Sequence, residues 1–216
     1  MRDERLTVFI DSFYGENTEF LDSLEEKAIE DRIPVIRKGT QAFLRFLISS
    51  RKVGSILEIG TATGFSAIFM AEYSEDNTSI TTIENYEKRI KEAEKNIEAS
   101  GFSDKIRLLE GDAGKLLPEI KESFDLIFID AAKAQYPYYL KEAKRLINPG
   151  GIIVADNCLK EGDILESRYA VERRDRTIHK RMREFLRDIT KDPDFVSMIL
   201  PIGDGVAAAW RKYEKT

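Results

Sequence analysis

Asp130 and the pair Asp156-Asn157 are the residues best suited to hold a hard cation. Each ends a short apolar run, Leu126-Ile127-Phe128-Ile129 in one case and Ile152-Ile153-Val154-Ala155 in the other. Two carboxylates and an amide oxygen suit Mg²⁺, with water or substrate in the remaining positions. The rival reading is that both acids merely cap the helices that follow. Lys133 stands three residues past Asp130, where it could lie close to a bound metal whose charge would lower its pKa and make it a usable base. Without a cation it reads as a surface lysine. Other routes to catalysis are narrow. A single His179 and a single Cys158 exclude a structural zinc site and an intrachain disulfide. A Ser-His-Asp or Cys-His mechanism would have to run through His179.

A second constellation lies earlier. Leu57-Glu58-Ile59-Gly60-Thr61-Ala62-Thr63-Gly64-Phe65-Ser66 follows an apolar run and opens a helix. Glycine lets backbone approach a ligand closely at such a turn. The spacing is E-x-G-x-x-x-G, not the G-x-G-x-x-G of dinucleotide sites. A carboxylate at Glu58 would repel a pyrophosphate and attract the positive end of an amino acid, so Glu58 and Gly60 favour S-adenosylmethionine over NAD. Glu84 ends the next apolar run, where it can accept both ribose hydroxyls. Asp112 follows the third, where it can take an adenine amino group, and the backbone of Ala113 can reach the ring edge. Each acid alone reads as a solvated strand end; three in succession point to a ligand.

The elements that must carry these residues follow from periodicity. Residues 19–32 and 40–51 have apolar positions at helical spacing, with Asn17-Thr18 as a cap and Pro34 as a stop. From residue 55 strands alternate with helices. The strands are expected at 55–59, 79–83, 106–109, 126–129 and 152–155, and the clearest helix at 86–100, closed by Gly101. Asn148-Pro149-Gly150-Gly151 reads as a turn before the fifth strand. Residues 195–202 and 206–211 form a hairpin around Gly203-Asp204-Gly205. The fold class is α/β: a doubly wound seven-stranded sheet, parallel strands closed by an antiparallel C-terminal hairpin, of class I methyltransferase type. The domain expectation is one unit over 1–216, with 1–52 a helical N-terminal extension.

Across nearly the whole chain the sequence resembles the magnesium-dependent class I O-methyltransferases of the catechol and caffeoyl-CoA type. The matching motifs are Glu58 through Ser66, Phe128-Ile129-Asp130-Ala131-Ala132-Lys133, and Asp156-Asn157. The resemblance implies Asp130, Asp156 and Asn157 as metal ligands and Lys133 as the general base, with Asp130 counted also among the catalytic and cofactor-binding groups. It implies Glu84 on the ribose, Ser66 and Asp112 in the cofactor pocket, and the backbone near Ile36 against the methionine part. Ala134 departs from the family, which often has Gly there. Within the family the chain is most similar to bacterial tRNA 5-hydroxyuridine methyltransferases. The cues are Ile33-Pro34-Val35-Ile36, Asp130 through Lys133, an Arg-rich segment after the fifth strand, and Pro201-Ile202-Gly203-Asp204-Gly205. That implies 5-methoxyuridine formation at the tRNA wobble position.

Charge bears on the partner. The chain has 216 residues and a net charge of −5, which disfavours indiscriminate nucleic-acid binding. The charge is uneven: residues 34–52 hold Arg37, Lys38, Arg45, Arg51 and Lys52 and no acid. From Arg168 onward a second basic segment runs to Arg187. In it Ile178, Met182, Phe185 and Ile189 form an apolar stripe, and Arg173, Arg176, Lys180, Arg183 and Arg187 a basic stripe on the opposite face. The basic stripe reads either as a solvated face or as the footprint of a tRNA backbone. His179 is expected at the surface beside it, Cys158 as buried bulk, Trp210 in the core, and Phe65 and Tyr136 as base-stacking or core residues. A small catechol or phenolic substrate would leave the stripe idle; a catalytically silent cofactor- or RNA-binding module is a third reading. With no signal peptide or membrane span in view, the expected location is the cytoplasm. A homodimer through the N-terminal helices is implied by the resemblance.

Overall fold

The computed structural model describes residues 4–167 and 169–213, without the side chains of Lys160, Glu161 and Asp163. Arg168, the first residue of the basic segment, lies outside the described residues. Three helices come first: α1 (Glu4–Asp11), α2 (Glu19–Glu30) and α3 (Lys38–Ser50). Thr18 caps α2, its hydroxyl accepting from the Leu21 N–H. α2 ends ahead of Pro34. Arg32 turns left-handed, φ 55°, and the Ile33 N–H closes onto the Ala28 carbonyl.

Alternation then runs β1 (Ser55–Ile59), α4 (Phe65–Tyr73), β2 (Ser79–Glu84), α5 (Glu87–Ser100), β3 (Ile106–Glu110), α6 (Ala113–Leu116), β4 (Phe124–Ile129), α7 (Tyr136–Leu146) and β5 (Ile147–Ala155). α8 (Arg176–Thr190) and the hairpin β6 (Phe195–Leu200) and β7 (Val206–Arg211) complete the chain. The strand order is β3-β2-β1-β4-β5-β7-β6. β1 to β5 pair in parallel and β7 runs antiparallel to both neighbours, which is the sheet the sequence predicts.

Alternate strand residues feed two cores. Ile56, Ile80, Leu126 and Val154 pack with Leu44 and Ile48 of α3, Ile68 and Phe69 of α4, and Ile97 of α5. Leu57, Ile59, Ile127, Ile129 and Ile153 pack with Leu140 and Ala143 of α7 and with Met182, Phe185 and Ile189 of α8. The strand order reverses between β1 and β4, so connections leave to opposite faces and the carboxyl ends of these strands open a crevice. Glu58, Asp130 and Asp156 reach that edge.

One expected turn is part of a strand. Asn148-Pro149-Gly150-Gly151 lies inside β5: Phe124 pairs with Ile147 but Leu126 with Ile152, so β5 bulges. Gly150, at φ 80°, makes the bend, and its carbonyl accepts from the Trp210 indole at 3.0 Å and from the Arg51 guanidinium. Trp210 is therefore half-buried at the sheet margin and not in the core. Among the described residues no helix is long and apolar enough to cross a membrane.

Candidate active site

Asp156 leaves the end of β5 fully buried. Its Oδ1 accepts from the Thr40 hydroxyl at 3.3 Å and from the Asn157 N–H at 2.7 Å. Its Oδ2 is buried with no hydrogen-bond partner. Beside it, burial and then the Asp156 charge push the Asp130 carboxyl up to about 7, against the pull of Lys133. Burial raises Asp156 as well. Asn157 sits in the left-handed region at φ 55°, which Asn tolerates. A buried, orphaned carboxylate oxygen is costly, and two carboxylates that disfavour each other's charge suit a cation between them. Among the described residues no three His, Cys, Asp or Glu side chains gather as a metal cage. The candidate set is thus Asp130, Asp156 and the Asn157 amide, which fits a hard cation that keeps several waters. Lys133 begins a short 3₁₀ turn (Lys133–Gln135), and its ammonium lies 3.6 Å from Asp204.

The second half of the site surrounds the loop after β1. Glu58 is fully buried, and its Oε2 accepts from the Thr82 hydroxyl at 2.5 Å. Oε1 has no hydrogen bond. Burial raises the carboxyl to about 7, offset in part by the nearby Ser66 and Thr82 hydroxyls. The native state therefore binds this proton more tightly than the unfolded chain does. The stability Glu58 contributes is full below pH 4.5 and is lost as pH rises toward 7, on the order of 3 kcal/mol in all. Glu58→Gln is expected to flatten that loss in denaturant titrations of the ligand-free chain at pH values from about 4.5 to 8.

Glu84 shapes the same loop. Its Oε2 accepts from the Ala62 N–H at 2.9 Å, and its Oε1 from the Asn85 and Tyr86 N–H groups at 2.9 and 3.0 Å. Ala62 is held at φ 47°, an unusual conformation for a residue with a Cβ. Gly60, at φ 103°, has no room for a side chain: a Cβ would meet the Asp130 carbonyl oxygen at 2.1 Å. The cofactor loop and the metal-side loop thus touch at Gly60. Gly60→Ala should cost about 1–3 kcal/mol in backbone strain alone, read as a melting temperature lower by about 2–4 °C per kcal/mol.

The remaining expected residues lie around this centre. Ile36 is buried just before α3, and its carbonyl accepts from the Gln41 amide at 2.9 Å. Ser66 is buried in the first turn of α4. Asp112 is exposed at the start of α6 and makes no capping bond there, and Ala113 is partly buried beside it. Thr40 and Asp204 are functional candidates that motif reading passed over. Gly203-Asp204-Gly205 signals a turn and gives no hint of what its acid meets, and nothing near Thr40 marks it.

The sequence matches the O-methyltransferase family over residues 11–212. The chain belongs to that family. It is the family its motifs resemble, the class I enzymes of the catechol and caffeoyl-CoA type. Catechol O-methyltransferase of Niastella koreensis is 38% identical over 128 residues, which is 57% of this chain and 58% of that protein. That match thus spans little more than half of the relative's length. Tapetum-specific methyltransferase 1 of Arabidopsis thaliana is 27% identical over 206 residues, 92% of this chain and 88% of that one. The SAH-bound structure of the Podospora anserina methyltransferase PaMTH1 has a TM-score of 0.87 at 26% identity, covering 99% of this chain and 97% of that one. The Bacillus cereus O-methyltransferase in complex with SAH has a TM-score of 0.84 at 26% identity, covering 96% and 97%.

In this O-methyltransferase the basic stripe divides by task. Met182, Phe185 and Ile189 are buried as expected, and Arg173, Lys180, Arg183 and Arg187 are exposed. Arg176 donates to the Val171 and Tyr169 carbonyls, and Arg183 to the Ile164 carbonyl. His179 is not a surface residue: it is buried at 4% exposure, with Nε2 3.1 Å from the Glu166 carbonyl. The segment between β5 and α8 folds over that flank and covers it. Cys158, Phe65 and Tyr136 are core residues.

Proposed function

We propose that this O-methyltransferase uses S-adenosylmethionine and Mg²⁺ to convert 5-hydroxyuridine at the tRNA wobble position to 5-methoxyuridine. The observation that carries the chemistry is the unpartnered Asp156 Oδ2, buried close to Asp130. When bound, the donor supplies the methyl group and the cation lowers the pKa of the substrate hydroxyl. Asp130, Asp156 and Asn157 would hold the cation. Glu58 would attract the amino group of the donor, Glu84 its ribose and Asp112 its adenine, with Ser66 and the backbones of Ile36, Gly60 and Ala113 closing the pocket. The SAH-bound relatives support the donor. Lys133 takes the hydroxyl proton at Nζ, and the crevice holds the resulting oxygen for transfer, so positioning supplies most of the acceleration. A 5-hydroxyuridine presents the adjacent 5-hydroxyl and 4-carbonyl oxygens, much as a catechol presents two hydroxyls.

The RNA part rests on where α8 lies. The Arg181 guanidinium donates to the Ala134 carbonyl at 2.5 Å, so the basic helix passes beside the Lys133 turn. Further along, Arg187, Lys141 and Lys191 border an open groove of about 560 Å³, shared with Asp188 and Asp192. The cytoplasm is the location that fits this substrate. A homodimer belongs to the same proposal, because α1 leaves Val8 and Phe9 69% and 60% exposed. Sedimentation velocity tests it, and a monomer at micromolar concentration counts against it.

A small catechol is the second reading. It is favoured by the use of Arg176 and Arg183 as braces for backbone carbonyls, a task that needs no RNA. Mass spectrometry of tRNA nucleosides from a deletion strain separates the two. Loss of 5-methoxyuridine supports the first reading and its retention supports the second. In vitro, Glu at positions 173, 180 and 187 together should cut tRNA methylation by about tenfold or more while sparing a catechol.

A further inference from the structure

We propose that Tyr136 is a positioning residue for the metal ligands: its hydroxyl holds, from inside the core, the peptide that joins Asp156 to Asn157. This rests on Asp130, Asp156 and Asn157 being those ligands. Tyr136 is the first residue of α7 and is fully buried. Its hydroxyl donates to the Asp156 carbonyl at 2.9 Å and reaches the Ile129 carbonyl at 3.4 Å. These carbonyls belong to the peptides that lead into Asn157 and into Asp130. One buried hydroxyl therefore touches the backbone from which two of the three ligands hang.

The Asp156 carbonyl needs such a partner. β4 and β5 pair as far as Ile129 and Ala155, so Asp156 lies just past the ladder. The Ile129 carbonyl accepts from the Asp156 N–H at 3.0 Å. The Asp156 carbonyl has a weaker second donor in the Cys158 thiol, at 3.7 Å. Asn157 follows in the left-handed region at φ 55°, so the orientation of the peptide before it sets where its amide leaves the chain. The ring that carries the hydroxyl is itself fixed: Phe185 of α8 meets it edge-on, with centroids 5.3 Å apart and planes at 75°. A phenylalanine would fill the same space, so the bond can be removed with the packing left in place. The Asp156 carbonyl would then be a buried acceptor facing only a thiol, which is costly. Turning the peptide relieves that cost and carries the Asn157 amide away from Asp130.

The test titrates Mg²⁺ calorimetrically into the wild type, Tyr136→Phe, Phe185→Leu and Asp156→Ala. Melting curves and S-adenosylmethionine affinity without metal are recorded for each. Tyr136→Phe should bind Mg²⁺ about 10- to 100-fold more weakly, the range for a lost group that orients a metal ligand, with S-adenosylmethionine affinity unchanged. Phe185→Leu loosens the packing round the ring and keeps the hydroxyl; it should melt lower than the wild type yet bind Mg²⁺ equally well. Hydrogen–deuterium exchange adds a readout without metal: the amides of residues 156–158 should exchange several-fold faster in Tyr136→Phe. Wild-type Mg²⁺ affinity or wild-type exchange in Tyr136→Phe overturns the proposal. An equal loss of Mg²⁺ affinity in Phe185→Leu overturns it too, because packing alone would then be at work. Wild-type affinity in Asp156→Ala overturns the metal assignment instead, and that variant tells the one failure from the other.

Discussion

Asp156→Ala is expected to abolish high-affinity Mg²⁺ binding and to lower methyl transfer by about three orders of magnitude, the equivalent of several kcal/mol of lost charge stabilisation. The reason is the state of the two oxygens. Oδ1 has its hydrogen bonds from Thr40 and Asn157, whereas Oδ2 is sealed from water with nothing to bond. Without a cation that arrangement costs stability, because burial already raises the carboxyl. The ligand-free alanine variant should therefore melt no lower than the wild type, although it is catalytically disabled. Isothermal titration with Mg²⁺ and a melting curve measure the two effects separately. Wild-type Mg²⁺ affinity in the variant would sink the metal assignment.

Lys133→Ala is expected to lower kcat by about 10²–10⁴-fold, the range of a lost general base, while binding of S-adenosylmethionine and Mg²⁺ stays as in the wild type. Lys133→Arg should not restore it, because a guanidinium stays protonated and cannot accept the hydroxyl proton. Single-turnover kinetics at saturating donor isolate the chemical step. An arginine variant with wild-type kcat would show that the position supplies only positive charge.

Glu84, Asp130 and Asp156 were legible because each closes an apolar run, and a buried parallel strand reads as such a run on its own. Strands β1 and β7 take their expected bounds, Ser55–Ile59 and Val206–Arg211. Gly101 ends α5 left-handed at φ 78°, as a C-cap glycine should. What stayed hidden depends on partners far along the chain. Thr40 meets Asp156 across 116 positions, and no local pattern records that contact. Asp204 occupies a turn whose glycines fully account for the hairpin, so nothing in the motif asks what the acid does. Asn148 through Gly151 has the residues of a turn, but the β4 neighbour draws it into the sheet as a bulge, because the same glycines serve either purpose. His179 adjoins a solvated stripe on a helical wheel. A wheel cannot show that the segment between β5 and α8 returns to cover one flank.

That returning segment has a property its anchors determine. Arg176, His179 and Arg183 all grip it through main-chain carbonyls, at Val171 and Tyr169, Glu166, and Ile164. Carbonyls are the same whatever side chain a residue bears, so these anchors set no sequence requirement, which falls instead on the buried Ile164 and Val171. Leu165 and Tyr169 project from it at 84% and 85% exposure. They can be exchanged without disturbing the helix that secures them. The segment is thus held by its backbone at one end of the sheet, and its outward positions are free to change while the helix and strands beneath stay as they are.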